Sequence, residues 1–227
     1  MALLDPARLR TPRDLAPFID HTLLAPGAGA AEVARLLDEA LAHRFATVCV
    51  RGEWVPEARR RLAGSGVKAI AVADFPLGEA SPEARAAEAA ALARAGAEEV
   101  DVVVRLPDLL AGRHEAVLRD LRAVVAAAGV PVKVILETAH LTRDQLAAGA
   151  ALARCAGAAY VKTSTGFGRG GATREAVALL REVVGPALGV KASGGIRTAA
   201  DALAMIAAGA DRVGASASVA IVSAASF

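Results

Sequence analysis

Seven aromatic side chains, two cysteines and four lysines are few for 227 residues, and each shortage narrows what the chain can do. Five Phe, one Tyr and one Trp cannot furnish base-stacking platforms, and a net charge of +2 on scattered arginines gives no basic stripe. Nucleic acid is therefore not an expected partner. Cys49 and Cys155 have no metal-ligand spacing and form no disulfide framework, so both are expected as buried thiols. The longest uncharged run, 213–227, falls short of the 18 or more apolar residues of a membrane span and is rich in small side chains, so no membrane association is expected. Asp5, Arg8 and Arg10 precede any apolar stretch, which argues against a secretory leader and for a cytoplasmic protein.

What the chain has in excess is alanine. The 55% hydrophobic fraction rests largely on this strong helix former, which implies many packed helices. Thr11-Pro12-Arg13-Asp14 reads as a cap, a first-turn proline and an acidic third position, so a short N-terminal helix is expected. Apolar β-type runs are then expected at 18–23, 46–51, 68–75, 99–104, 131–137, 159–164, 190–193 and 212–214. Helical patterns separate them, closed by Gly96, Gly129, Gly185-Pro186 and Gly209, and a last helical run ends the chain. The positions Asp20, Val48, Val72, Asp101, Val134, Lys162, Lys191 and Gly214 stand 23 to 33 residues apart, the span of one β-loop-α unit, with no linker between them. The expected fold is a single (β/α)8 TIM barrel over 1–227. An open doubly wound sheet would carry a glycine fingerprint at its first strand-to-helix turn, and Leu24-Ala25-Pro26-Gly27 has none.

A barrel carries its chemistry where the strands end, and there this sequence is polar: Asp20, Cys49, Asp74, Asp101, Lys133, Glu137, Lys162, Lys191 and Ser216. Against 22 arginines the four lysines, Lys68, Lys133, Lys162 and Lys191, all fall in or at the start of strand-like runs. Lysine can give up its proton and become a nucleophile, whereas arginine stays charged. Lys162 in Tyr160-Val161-Lys162-Thr163 and Lys191 in Val190-Lys191-Ala192 would point into one interior, where burial and mutual repulsion favour a neutral amine. Asp101, alone in an apolar strand, needs cationic partners; it is either a general acid/base with Lys191 or a structural counter-ion. Lys133 and Glu137 are expected to form a separate ion pair.

Gly166-Phe167-Gly168-Arg169-Gly170-Gly171 matches G-x-G-x-x-G, yet the strand end about 20 residues on carries Lys191 in place of the acid that a dinucleotide site requires. As a phosphate cradle it is joined by Gly194-Gly195 and Gly214-Ala215-Ser216, the loops that usually hold phosphate in such barrels; the alternative is that these glycines only make tight turns. A lysine that can form an imine, a helper lysine, an aspartate and a phosphate site specify carbon-carbon chemistry on a phosphorylated sugar. An imine stabilises the neighbouring carbanion, so no metal and no cofactor are expected.

These segments resemble deoxyribose-phosphate aldolase, a class I aldolase family. The likeness runs from Ile19-Asp20-His21-Thr22-Leu23-Leu24 through Val48-Cys49-Val50, Phe75-Pro76-Leu77-Gly78, Glu99-Val100-Asp101 and Val132 to Thr138, to the two lysine motifs and Arg212-Val213-Gly214. It implies a (β/α)8 barrel, often dimeric, with Lys162 forming the Schiff base, Lys191 perturbing its pKa and Asp101 relaying protons. Asp20, Cys49, Thr163, Gly166, Gly194, Gly195, Gly214 and Ser216 are then the expected substrate and phosphate contacts. The implied reaction is reversible cleavage of 2-deoxyribose 5-phosphate to acetaldehyde and glyceraldehyde 3-phosphate. Departures from the family pattern are Arg51-Gly52 for Asn-Pro, Arg105 for Asn, Ala217 for the second serine of a pair, and no tyrosine near Phe227. Two rival readings are an aldolase or transaldolase with altered aldehyde preference, suggested by Arg51 and Arg105, and a catalytically silent phosphosugar-binding barrel.

Overall fold

A computed structural model describes residues 6–227, so Asp5 of the charged start lies outside the described residues. Eight parallel strands close on themselves in chain order: β1 Ile19–Thr22, β2 Thr47–Val50, β3 Lys68–Ala73, β4 Glu99–Val103, β5 Val132–Ile135, β6 Tyr160–Lys162, β7 Gly189–Ser193 and β8 Arg212–Ala215. The ring is completed by β8 on β1, where Asp20 faces Gly214. The outer layer is α1 Ala30–His43, α2 Val55–Leu62, α3 Pro82–Arg94, α4 Leu106–Leu110, α5 His114–Ala128, α6 Arg143–Cys155, α7 Arg174–Val184, α8 Ala199–Ala207 and α9 Ser218–Val222. The (β/α)8 expectation holds, with each strand within a few residues of its expected run.

Local chemistry explains the boundaries. Ser81, Thr142, Thr173 and Thr198 each accept a backbone N–H with the side-chain oxygen at a helix start, and Gln145 and Asp201 return the bond at two of them. The N-terminal helix, Pro12–Phe18, is 3-10 and not α, because Pro17 lies inside it and brings no N–H. Asp14 accepts from the N–H groups of Arg10 and Thr11 at 2.8 Å, as its position suggests. The short α4, and the 3-10 turns Gly52–Trp54 and Thr138–His140, escaped the periodicity reading because single turns carry none.

Alternation along each strand sorts the side chains. Val48, Val100, Val102, Val134, Val161, Val190 and Val213 face outward and join the large apolar core under the helices. Inward, only one side of the barrel is apolar: Leu24, Cys49, Ile70 and Val72 pack together with Phe75 against them. The other side, built by β4 to β8 and β1, is ionic.

Asp74 does not belong to that interior. Its φ of 47° turns the chain off β3, and its carboxylate accepts from Arg85, which is fully buried in α3 and also holds Asp120 at 3.0 Å. Cys155 is exposed on α6, contrary to the expected burial, while Cys49 is buried. No helix among the described residues is long and apolar enough to cross a membrane.

Candidate active site

Strand register sets the site. Because β6 and β7 pair with Lys162 opposite Lys191, and β4 and β5 with Asp101 opposite Lys133, all four side chains enter the barrel. Asp101 Oδ2 accepts from Lys162 Nζ at 2.9 Å and from Lys191 Nζ at 2.8 Å, and its Oδ1 from Lys133 Nζ at 2.9 Å. Lys133 also contacts Glu99 Oε2 at 2.5 Å, and Lys191 contacts Asp20 Oδ2 at 2.5 Å. Arg212 joins Asp20 at 2.7 Å to Glu99 at 3.9 Å.

Six of these groups thus close a ring of alternating sign: Asp101, Lys133, Glu99, Arg212, Asp20, Lys191 and back to Asp101. Its formal charge is zero. Tyr160 lies beneath, its ring 5.6 Å from the Arg212 guanidinium and 5.7 Å from Lys133 Nζ, and Gly189 leaves the room it fills. Lys68, half exposed at the strand starts, caps Glu99 at 3.0 Å.

Lys162 is the seventh group, attached through Asp101, and its proton would leave the interior with an uncompensated positive charge. Burial pushes its amine down; Asp101 opposes that and Lys191 adds to it, and the balance lies below the ordinary lysine value. Burial acts the same way on Lys191 and Lys133, but two carboxylates beside each outweigh it and hold both above the ordinary value. Burial would raise Asp101, yet the three lysines hold it well below the usual carboxylate range. Lys162 and Lys191 in one interior are thus pushed apart, Lys191 held above the ordinary lysine value and Lys162 below it.

Above Lys162 the strand ends open into a cleft of about 390 Å3. Lys162, Lys191, Gly166, Gly194, Gly195, Gly214 and Ser216 line it, together with Thr165, Phe167, Arg197 and the β1 loop from Thr22 to Pro26. Asp101, Asp20 and Cys49 lie below the lining as fully buried groups, and burial pushes the Cys49 thiol up to about 11. Asp20 is thus a partner of Lys191 and Arg212 and not a wall of the cleft.

Thr163 faces away from the interior. Its hydroxyl donates to Ser193 O at 2.9 Å and accepts from Ser193 N at 3.0 Å, which ties β6 to β7 and leaves it with no reach to the cleft. The expected Lys133–Glu137 pair is absent. Lys133 is taken by Glu99 and Asp101, and Glu137, past the end of β5 at φ 54°, bonds Thr165.

Of the run's glycines only Gly166 reaches the cleft; Gly168 packs on the Glu137 carboxylate, Gly170 on Ala139 and Gly171 on the Gly194 backbone. The run is less a cradle than a brace holding the β6 loop against the β7 loop, with Ala172 N donating to Gly194 O at 3.0 Å. Gly194, at φ 90°, adopts a backbone that other residues rarely reach. Gly214 is needed for space, since a Cβ there would lie 2.9 Å from Lys191 Cε.

Arg212 and Glu99 were missed as site residues because they sit at strand starts; the register of Arg212 opposite Lys191 was the available signal. Arg51 and Arg105 are spent on neighbouring loops, Arg51 donating to Leu24 O at 3.1 Å and Arg105 to Ala80 O at 2.5 Å and Asp108 at 2.6 Å.

Known proteins are similar to this chain in sequence and in fold. Residues 15–224 match the profile of the DeoC/LacD family aldolases. The chain is 49% identical over 205 residues to a deoxyribose-phosphate aldolase of Streptococcus sanguinis, covering 90% of this chain and 93% of that one. It is 50% identical over 213 residues to a deoxyribose-phosphate aldolase of Halalkalibacterium halodurans, covering 92% and 95%. A solved tetrameric deoxyribose phosphate aldolase from Aeropyrum pernix superposes with a TM-score of 0.88 at 38% identity, over 95% of this chain and 92% of that one. With a match this long, laid over a lysine-bearing cleft in a closed barrel, the chain belongs to the DeoC/LacD family of aldolases.

Proposed function

We propose that this protein cleaves 2-deoxy-D-ribose 5-phosphate reversibly to acetaldehyde and D-glyceraldehyde 3-phosphate, with Lys162 as the amine that forms the imine. The observation that carries this reading is one lysine in excess of a neutral ring, on the floor of a cleft whose far wall is glycine loops. Its relatives are named for this substrate.

In the proposed sequence the neutral Lys162 amine adds to the C1 aldehyde and loses water to give a protonated imine. A proton leaves the C3 hydroxyl, and the C2–C3 electron pair moves toward the imine, giving an enamine and releasing glyceraldehyde 3-phosphate. Protonation at C2 and addition of water then return acetaldehyde and the amine. Asp101 touches both Lys162 and Lys191 and is the relay for these protons. Three cations make it a weak base, so it passes protons on and does not store them. Lys191 stays charged, and its proposed role is to depress Lys162 and to offer a positive charge as oxyanions develop. The 5-phosphate is assigned to the backbone of Gly166, Gly194, Gly195 and Gly214 with Ser216.

Residues 1–227 are proposed to act as one barrel domain, working in the cytoplasm as a homodimer on a small phosphorylated sugar. Light scattering reads the dimer. Neither Arg51 nor Arg105 lines the cleft, so nothing favours an altered aldehyde preference. The test is incubation with acetaldehyde or deoxyribose 5-phosphate, borohydride reduction and mapping of the adduct, with Lys162→Arg as control. Label on Lys162 alone is expected; an active protein without that label overturns the imine.

A further inference from the structure

We infer that Glu137 is a positioning residue for the phosphorylated substrate, acting through Thr165 on the loop that follows β6; the inference rests on the reading above. Glu137 is 6% exposed and follows β5 in a left-handed backbone that carries its side chain out of the barrel interior, toward the next loop. There Oε2 accepts from the Thr165 hydroxyl at 2.6 Å and from the Thr165 N–H at 3.1 Å. The same hydroxyl accepts from Phe167 N at 3.1 Å. Thr165 thus lines the cleft with its one hydroxyl proton already committed to Glu137, so its contribution to substrate is the set of its backbone and not its side chain.

Three further contacts make the turn Glu137-Thr138-Ala139 the template for that loop. Thr138 N donates to Thr163 O at 3.0 Å, one residue beyond Lys162. A Cβ on Gly168 would sit 3.3 Å from the Glu137 carboxyl carbon, and one on Gly170 would sit 2.8 Å from Ala139. The turn after β5 therefore fits the loop after β6 only where glycine stands. The Glu137 carboxylate leaves Oε1 buried with no hydrogen-bond partner. An apolar filler would avoid that cost, so the carboxylate is there for its bonds to Thr165. What the two bonds set is the Thr165 backbone leading into Gly166, and both residues line the cleft that also holds Lys162.

The experiment compares Glu137→Gln, Glu137→Ala, Thr165→Val, Thr165→Ser and the Glu137→Ala/Thr165→Val double variant. Loss of the hydroxyl bond in Thr165→Val, and of both the hydroxyl and the N–H bond in Glu137→Ala, is expected to raise KM for deoxyribose 5-phosphate about 10- to 100-fold. Thr165→Ser keeps the hydroxyl and should keep the wild-type KM. Turnover of phosphate-free 2-deoxyribose and borohydride trapping of acetaldehyde on Lys162 should stay within about threefold of wild type, and the double variant should be no worse than either single one. Equal losses on both sugars, an unchanged KM, or additive losses would overturn the inference. Should Glu137→Ala not fold, Thr165→Val alone carries the comparison. Titration of inorganic phosphate into wild type and Thr165→Val reads the loop without turnover: weaker binding in the variant supports the inference and equal binding overturns it. Absence of acetaldehyde trapping in the wild type would instead overturn the imine reading, leaving the phosphate titration to decide this one.

Discussion

Lys191→Met is the sharpest test of how the interior makes an amine. Lys162 and Lys191 touch the same Asp101 oxygen at 2.9 and 2.8 Å. Their nitrogens therefore lie within about 6 Å of each other, and two unit charges at that distance repel by about 3 kcal/mol at an effective dielectric constant of ~20. That is about two pKa units. Removing Lys191 also leaves Asp20 and Asp101 with one cation fewer, which favours the charged form of Lys162 further. The Lys162 pKa should rise, and because only the neutral amine reacts, its active fraction at a fixed pH below the wild-type pKa should fall about 100-fold. The fold should survive, since Asp20 keeps Arg212 and Asp101 keeps Lys133 and Lys162. The assay is the rate of borohydride-trapped imine with acetaldehyde as a function of pH, with circular dichroism as the control for folding. The acid limb should move to higher pH by about two units, with the rate recovering toward wild type on the alkaline side. A limb that stays in place while the rate drops equally at every pH would refute the electrostatic argument and leave Lys191 acting on substrate alone.

Three other predictions follow from the same geometry. Gly214→Ala should fold yet lose about tenfold or more in kcat, because its Cβ would press on Lys191 Cε at 2.9 Å and Ser193 Cβ at 3.1 Å; unchanged kinetics would show that the ring tolerates the shift. Titration with a thiol reagent at about pH 8 should modify Cys155 and spare Cys49, whose thiol is buried and pushed up to about 11; mass spectrometry of the labelled protein decides. Asp20, Asp101 and Glu99 are all held below their ordinary values of 3.8 and 4.5. The unfolded chain binds protons there first, so the stability these groups contribute is present above those values and is lost as pH falls below them. Chemical denaturation of Asp101→Asn between about pH 5 and 3 should show a shallower loss than wild type, and an identical slope would contradict the pairing.

Much of this was legible because lysine in an apolar strand is chemically conspicuous. Alternation alone places Lys162, Lys191 and Asp101 inward, and register does the rest. The same alternation should have excluded Thr163, which follows an inward residue and bonds Ser193 on the neighbouring strand. Lys133 and Glu137 looked like partners because they are four residues apart in one run. The chain leaves the strand at Ile135, and the left-handed backbone at Glu137 sends its carboxylate elsewhere; no local pattern announces that turn. Arg212 and Glu99 stayed hidden since strand starts face the stable end of a barrel, yet long side chains reach the centre from there. The departures Arg51 and Arg105 suggested a changed substrate, and the structure spends both on loop carbonyls instead.

The closed ring beneath Lys162 bears on how such a chain can change over generations. Each of its six members answers two neighbours of opposite sign, so losing any one leaves both neighbours with one partner fewer and the neutral ring with a net charge. Lineages should then drift by paired exchanges, an adjacent acid and base vanishing together, with the intermediate single change purged. Lys133 with Glu99 is the pair most free to go, because neither touches Lys162, whereas Asp101 holds Lys162 and Lys191 together and has no permissible partner in loss.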